Sequence, residues 1–137
     1  VPFSPVGRGY LADEPLDPNG YHDSDLRRTF PRFTDPHFSA NLGLLATAKE
    51  HSADLGCTVA QLALAWTLAQ DNRCVPIPGT TNLQHLEDNF NAAEIELSAK
   101  LLAQLNEEFA PNAVSGLRYS PQAQASVTTE RFDFEVQ

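Results

Sequence analysis

The chain has no methionine, one tryptophan and two cysteines among its 137 residues. Two thiols, Cys57 and Cys74, are too few for a disulfide framework or a zinc ligand set. Basic residues are scarce: nine Lys and Arg against eighteen Asp and Glu leave a net charge of -9. A nucleic-acid backbone is gripped by clustered Lys and Arg, so this balance argues against a general nucleic-acid partner. No apolar run approaches the ~20 residues of a membrane span, and no basic leader with an apolar core opens the chain. These absences predict a cytosolic protein with no membrane partner. The lack of methionine and the start at Val1 create the expectation that further sequence precedes this stretch.

Hydrophobic residues make up 42% of the chain, enough for a globular core. Residues 1–4 form a short apolar run closed by Pro5 and the Gly7-Arg8-Gly9 turn, which reads as a strand feeding a loop. Residues 9–38 are polar, rich in Pro, Asp and Arg, and lack periodicity; so long a loop is usually functional or mobile. Helical text starts near Ser39, with Leu44, Leu45 and Ala48 on one face and Gly56 as a stop after Leu55. Thr58-Val59-Ala60-Gln61 has the form of a capping box and predicts a helix to about Gln70 with Leu62, Ala65, Trp66 and Ala69 as its stripe.

Residues 74–79 are apolar but rich in proline, which predicts a very short strand at 75–77. Thr80, Thr81 or Asn82 can cap a following helix whose face is Leu83, Leu86 and Phe90. Ser98 caps a last helix with Leu101, Leu102, Leu105 and Phe109 inward, stopped by Pro111. Two strands joined through helices imply a parallel pair, and a parallel pair belongs inside a larger α/β sheet or barrel.

The series Val1-Pro2-Phe3-Ser4-Pro5-Val6-Gly7-Arg8-Gly9-Tyr10-Leu11 resembles the seventh-strand segment of aldo-keto reductases. Arg27-Arg28 with Pro31-Arg32-Phe33 looks like the loop after it, in the branch where that loop is long. Thr58 to Trp66 is similar to the next helix. Val75-Pro76-Ile77-Pro78-Gly79-Thr80 with Leu86-Glu87-Asp88-Asn89 resembles the eighth strand and the helix that holds the adenosine phosphate. Arg118-Tyr119 matches a late element of the same branch. The likeness covers residues 1–127, as the C-terminal part of an aldo-keto reductase barrel. Beyond it, in the tail 128–137, Phe132, Phe134 and Val136 alternate with charged residues, the period of a half-buried strand, and the tail is expected to be frayed or weakly docked.

The resemblance implies an α/β fold, part of a (β/α)8 TIM barrel of about 250 residues, of which this chain would hold the last two strands and the closing helices. It also implies NADPH, with NADH possible, and a small-molecule carbonyl substrate. Phe3 would stack on the nicotinamide, and Ser4, Pro5, Val6, Gly7 and Arg8 would line the pyrophosphate. Gly7 and Gly9 suit that place because a missing Cβ lets backbone amides approach an anion. Gly79, Thr80 and Thr81 would offer a helix N-terminus to a phosphate, while Asn89, beside Asp88, would bind the adenine. His85 stands where many relatives place an arginine against the 2′-phosphate, and Asn82 where a basic residue is common. A histidine is only partly charged near neutral pH, so weaker discrimination of NADPH from NADH is expected.

The family's catalytic Tyr, Lys, Asp and His lie on earlier strands. Tyr10, Tyr21, Tyr119, Lys49 and Lys100 sit in none of those contexts, so no catalytic residue is assigned. Two rivals stay open: a regulatory subunit that senses the nicotinamide cofactor, and a truncated, inactive product. Simpler roles also stand beside the functional ones. Thr80 and Thr81 can be plain helix caps, His85 a solvated residue, and Arg27, Arg28 and Arg32 a solvated loop. His22, His37 and His51 read as surface residues without metal-ligand spacing, and Glu107-Glu108 as a solvated face. Cys57 and Cys74 read as buried or inert thiols. Isolated from a barrel, the chain would expose apolar faces and be marginally stable or self-associating.

Overall fold

A computed structural model describes residues 1–13 and 17–127; the alternating pattern at Phe132, Phe134 and Val136 lies outside the described residues. The chain divides into two units, Val1–Pro15 with Leu45–Glu108, and Leu16–Leu44 with Phe109–Gln137. Five α-helices are present among the described residues: α1 (His37–Leu55), α2 (Val59–Ala69), α3 (Leu83–Asn91), α4 (Ala99–Glu108) and α5 (Pro121–Ser126).

The two predicted strands are not formed as strands. They shrink to one parallel bridge, Phe3 with Ile77, in which the Ile77 amide donates to the Pro2 carbonyl at 3.1 Å. The reason lies in the sequence. Pro2 and Pro5 flank one bridge residue, Pro76 and Pro78 the other, and proline has no N–H with which to extend a ladder. The parallel sense expected from the intervening helices is retained.

In the first unit, α1 ends as expected. Gly56 takes a left-handed φ of 68°, the Cys57 amide donates to Ser52 and the Gly56 amide to Ala53, and a glycine accepts that conformation without a Cβ clash. The capping box at α2 is complete: Thr58 Oγ1 accepts from the Gln61 amide at 3.1 Å, and Gln61 Oε1 accepts from the Thr58 amide at 3.0 Å. Its stripe differs from expectation. Ala69 is exposed, while Val59, Ala63, Leu64 and Thr67 are buried along with Leu62 and Ala65. A helix enclosed on several sides needs no single stripe, and α2 packs against α3, α4 and the turn at Ala92–Glu94. Leu64, Leu105 and Val59 are the largest fully buried side chains. Trp66 Nε1 and Gln70 Nε2 both donate to Asn106 Oδ1, at 2.8 and 2.9 Å, tying α2 to α4.

The face of α3 is apolar as read, but it does not face inward. Leu83, Leu86 and Phe90 are exposed, Phe90 by 74%, and Val1, Phe3, Val75 and Ile77 are exposed with them. The described residues of this unit place no layer over these side chains.

Two surface assignments are corrected here. His51 is largely covered, and its Nε2 lies 2.7 Å from Glu108 Oε2. Glu108 also accepts from Gln104 Nε2 at 2.9 Å. Helix α1 carries the histidine and α4 the carboxylate, a non-local meeting that helix periodicity does not reveal. The Gln104 amide first, and the His51 bond and charge after it, hold the Glu108 carboxyl below the ordinary glutamate value. A carboxyl lowered by folding adds stability above its unfolded value and loses it as pH falls through the folded one. Glu108→Gln should therefore flatten the acid limb of the melting temperature against pH, by a difference of about 0.5 kcal/mol. An unchanged acid limb would assign no stabilising part to the carboxylate.

In the second unit, the loop read as aperiodic is built of short 3-10 turns at Pro18–Gly20, Leu26–Thr29 and Pro31–Phe33. Asp17 and Asp25 cap the first two through their carboxylates, which accept from the Asn19 and Arg27 amides, the usual reason Asp favours turns. Arg27 also pairs with Asp25 at 2.6 Å and covers the Tyr21 ring, and its hydrogen bonds pull the Asp25 carboxyl down to about 2. Tyr21 and Phe33 are buried, their rings 6.1 Å apart. Arg28 donates to Asp23 and to the Tyr21 carbonyl. The arginines are thus engaged in building the loop itself.

His37 is also not a plain surface residue. Its Nδ1 lies 2.8 Å from Ser115 Oγ, and the buried Asn41 exchanges two bonds with the Ser115 backbone at 2.8 and 2.9 Å. Helix α5, absent from the sequence reading, starts at Ser120 with its hydroxyl accepting from the Ala123 amide and Pro121 in the first turn. That Ser-Pro start was a readable signal.

Candidate functional site

The parallel bridge decides the geometry of the candidate site. Because Phe3 and Ile77 run in the same direction, the segments that follow them leave from the same end of the pair. Ser4–Arg8 follows one and Pro78–Thr81 the other. Both lie in the first unit, and so do His85, Asp88 and Asn89. All twelve residues singled out from the sequence therefore belong to one unit.

The first segment is a tight left-handed turn. Ser4, Gly7, Arg8 and Gly9 have φ of 50°, 58°, 58° and 89°. The Gly7 amide donates to Ser4 O, the Gly9 amide to Val6 O, the Tyr10 amide to Gly7 O and the Leu11 amide to Val6 O. The amides of Gly7 and Gly9 are thus engaged within the turn, and the glycines are explained by the left-handed backbone rather than by donors turned outward. A Cβ on Gly7 would sit 3.4 Å from the Tyr10 Cβ. Phe3 is partly exposed at the head of this turn, and Pro5, Val6 and Arg8 are half-buried.

The second segment is open. Nothing lies within 4 Å of a Cβ built on Gly79, and Thr81 is exposed. Thr80 Oγ1 accepts from the Asn82 amide at 3.1 Å, and Asn82 Oδ1 accepts from the Gln84 and His85 amides at 2.8 and 3.4 Å. Of the three cap candidates, Asn82 is the cap of α3. This gives a local reason for an asparagine there: its side chain satisfies two orphan amides of the first turn. His85 projects from that turn and is exposed. Asp88 accepts from Gln84 Nε2 through its carboxylate and from Gln61 Nε2 through its carbonyl, both at 3.2 Å, which anchors α3 on α2. Asn89 is half-buried beside it.

Cys57 and Cys74 are both free thiols and both half-buried. Burial, and secondarily the Asp13 charge, pushes the Cys57 thiol up, which lowers its thiolate fraction. Among the described residues no group of three or more His, Cys, Asp or Glu could hold a metal ion, and no helix is long and apolar enough to cross a membrane.

Two loops thus leave one end of a parallel bridge, and one of them opens into the N-terminus of α3. Residues 1–108 match the model of the aldo/keto reductase family, and the chain belongs to that family. It is 35% identical over 127 residues to the aldo-keto reductase yakc of Schizosaccharomyces pombe, whose name carries NADP(+), covering 93% of this chain and 37% of that protein. Aldo-keto reductase str7 of Strobilurus tenacellus is 37% identical over 103 residues, 75% of this chain and 31% of its own length. Probable aldo-keto reductase 1 of Glycine max is 38% identical over 123 residues, 87% of this chain and 34% of its own. The chain spans about a third of the length of these curated relatives. The fold that the family implies is a (β/α)8 barrel.

Proposed function

We propose that this chain is the C-terminal portion of an NADPH-dependent aldo-keto reductase that reduces aldehydes or ketones to alcohols, and that it supplies much of the cofactor site. The observation that carries the reading is the parallel Phe3–Ile77 bridge, which sends the Ser4–Arg8 turn and the Pro78–Thr81 segment out of the same end. An elongated anionic dinucleotide suits what they offer. The Phe3 ring is partly exposed, Arg8 carries a positive charge, the Thr81 hydroxyl is exposed, and the positive end of the α3 dipole favours a phosphate. The open space around Gly79 leaves room for close approach. The NADP(+) in the name of the fission-yeast relative agrees with this choice.

The chemistry that a bound nicotinamide would supply is hydride transfer to a carbonyl carbon. The residues of this chain would bind and orient it: Phe3 would stack on the nicotinamide, Ser4–Arg8 would line the diphosphate, and Gly79, Thr80, Thr81 and His85 would meet the adenosine phosphate. Asn89, beside Asp88, would bind the adenine. The proton donor and its supporting groups belong to other strands of the barrel. Those strands would also cover Leu83, Leu86, Phe90, Val75 and Ile77, the exposed apolar side chains of the first unit.

His85 gives the reading a specific test. An arginine is permanently charged and can grip a phosphate with two parallel bonds. His85→Arg should tighten NADPH roughly ten-fold and leave NADH unchanged, read by fluorescence titration with each cofactor. Equal effects on both would remove His85 from the 2′-phosphate.

A further inference from the structure

The Gly7–Leu11 turn is held together by its own backbone bonds, but what fixes its downstream limb is a residue 46 positions from its partner. Asp13 Oδ1 accepts from the Val59 amide at 3.4 Å. Val59 opens α2, and its amide is one of the orphan donors of that first turn. The capping box serves other groups: Thr58 accepts from Gln61, and Gln61 from Thr58. Asp13 therefore completes a helix start that the local sequence leaves unfinished. A carboxylate is favoured there by both the free N–H and the helix dipole. Burial first, and the nearby Asp13 charge second, raise the thiol of Cys57, two residues before Val59.

We infer that Asp13 is a positioning residue for the cofactor: docked on the N-terminus of α2, its carboxylate holds the downstream limb of the Gly7–Asp13 loop in place and slows cofactor release. The inference rests on the proposed reading that Ser4–Arg8 line the diphosphate. Asp13 touches no reacting atom in this account. A free carboxylate close to a diphosphate would repel it, and engagement with the α2 amide turns the negative charge to a partner instead. The backbone is left-handed at Arg8 and Gly9, and the bond at Asp13 ties the segment that follows to α2. Without it, the loop keeps its internal turn but loses its hold on the helix.

The test is the dissociation rate of NADPH by stopped-flow fluorescence in the wild-type protein, Asp13→Ala and Asp13→Asn, with hydrogen exchange at the Val59 amide beside it. The alanine variant should release NADPH about 2- to 5-fold faster, the range expected from losing a charge at a helix N-terminus. The asparagine variant keeps an acceptor without the charge and should fall between. Val59 exchange should rise in the same order. Wild-type protein that binds no NADPH would overturn the proposed function and this inference with it. Tight wild-type binding with three equal release rates would overturn the inference alone. A lowered melting temperature with equal release rates would have the same meaning, since it reduces Asp13 to a stabilising cap.

Discussion

Replacing Leu64 with alanine should lower stability by about 2–5 kcal/mol, the largest effect expected of any single substitution considered. Leu64 is among the fully buried side chains, and it sits on α2, which is enclosed by α3, α4 and the Ala92–Glu94 turn. Truncation removes transfer free energy and leaves a cavity that several packed elements must relax to fill. The control is Phe90→Ala. Phe90 is larger, yet it is 74% exposed, so in the chain as described its loss should change stability by no more than about 0.5 kcal/mol. Urea unfolding midpoints of the two variants check this. Equal losses would mean that the Phe90 face is covered in solution, which is the state a completed barrel or a self-associated chain would produce.

A second large effect is expected at Gly116. Its φ is 83°, and a Cβ there would meet His37 Cγ at 2.7 Å and His37 Cβ at 3.0 Å. Gly116→Ala combines a left-handed backbone at a residue with a Cβ and an overlap with a ring carbon, for a cost of about 2–4 kcal/mol. The neighbours cannot yield freely. His37 is held by Ser115 Oγ, the Ser115 backbone by Asn41, and the Gly116 carbonyl by Arg32 Nε at 3.1 Å. Gly43→Ala is the contrasting substitution. Gly43 lies inside α1 with nothing within 4 Å of an added Cβ, so alanine there should stabilise by up to about 1 kcal/mol. Thermal melts of both separate the cost of backbone and contact from the general effect of replacing glycine. A neutral Gly116→Ala would mean that the Arg32–His37–Ser115 cluster is loose.

What was legible in the sequence was local. The capping box at Thr58 and Gln61, the stop at Gly56 and the caps at Asn82 and Ser98 depend on residues a few positions apart. Those signals fixed four of the helices. The prolines around Phe3 and Ile77 were equally visible, and given full weight they predict a bridge rather than two strands. The Ser120-Pro121 start of α5 was also on view. The meetings that were missed are non-local. His51 with Glu108, His37 with Ser115 and Asp13 with Val59 join residues separated by 57, 78 and 46 positions. No periodicity encodes such contacts, because they follow from how whole elements pack.

The candidate site shows the same division. The glycines of the Gly7–Gly9 turn were recognisable, but not that their amides close the turn internally. Asn82 looked like a departure from a basic position and is explained locally as the cap of α3. The exposed stripe of Leu83, Leu86 and Phe90 was correctly read as apolar. Its burial was not settled by its pattern, since burial needs a partner surface as well as a stripe.

The central claim is that these two loops hold a nicotinamide dinucleotide phosphate. Its most direct test is an equilibrium titration of the protein with NADPH, followed by the change in nicotinamide fluorescence and repeated with Phe3→Ala. The account predicts saturable binding at one site per chain, with the fluorescence response reduced when the Phe3 ring is removed. No saturable binding, or binding and fluorescence unchanged by Phe3→Ala, would contradict it.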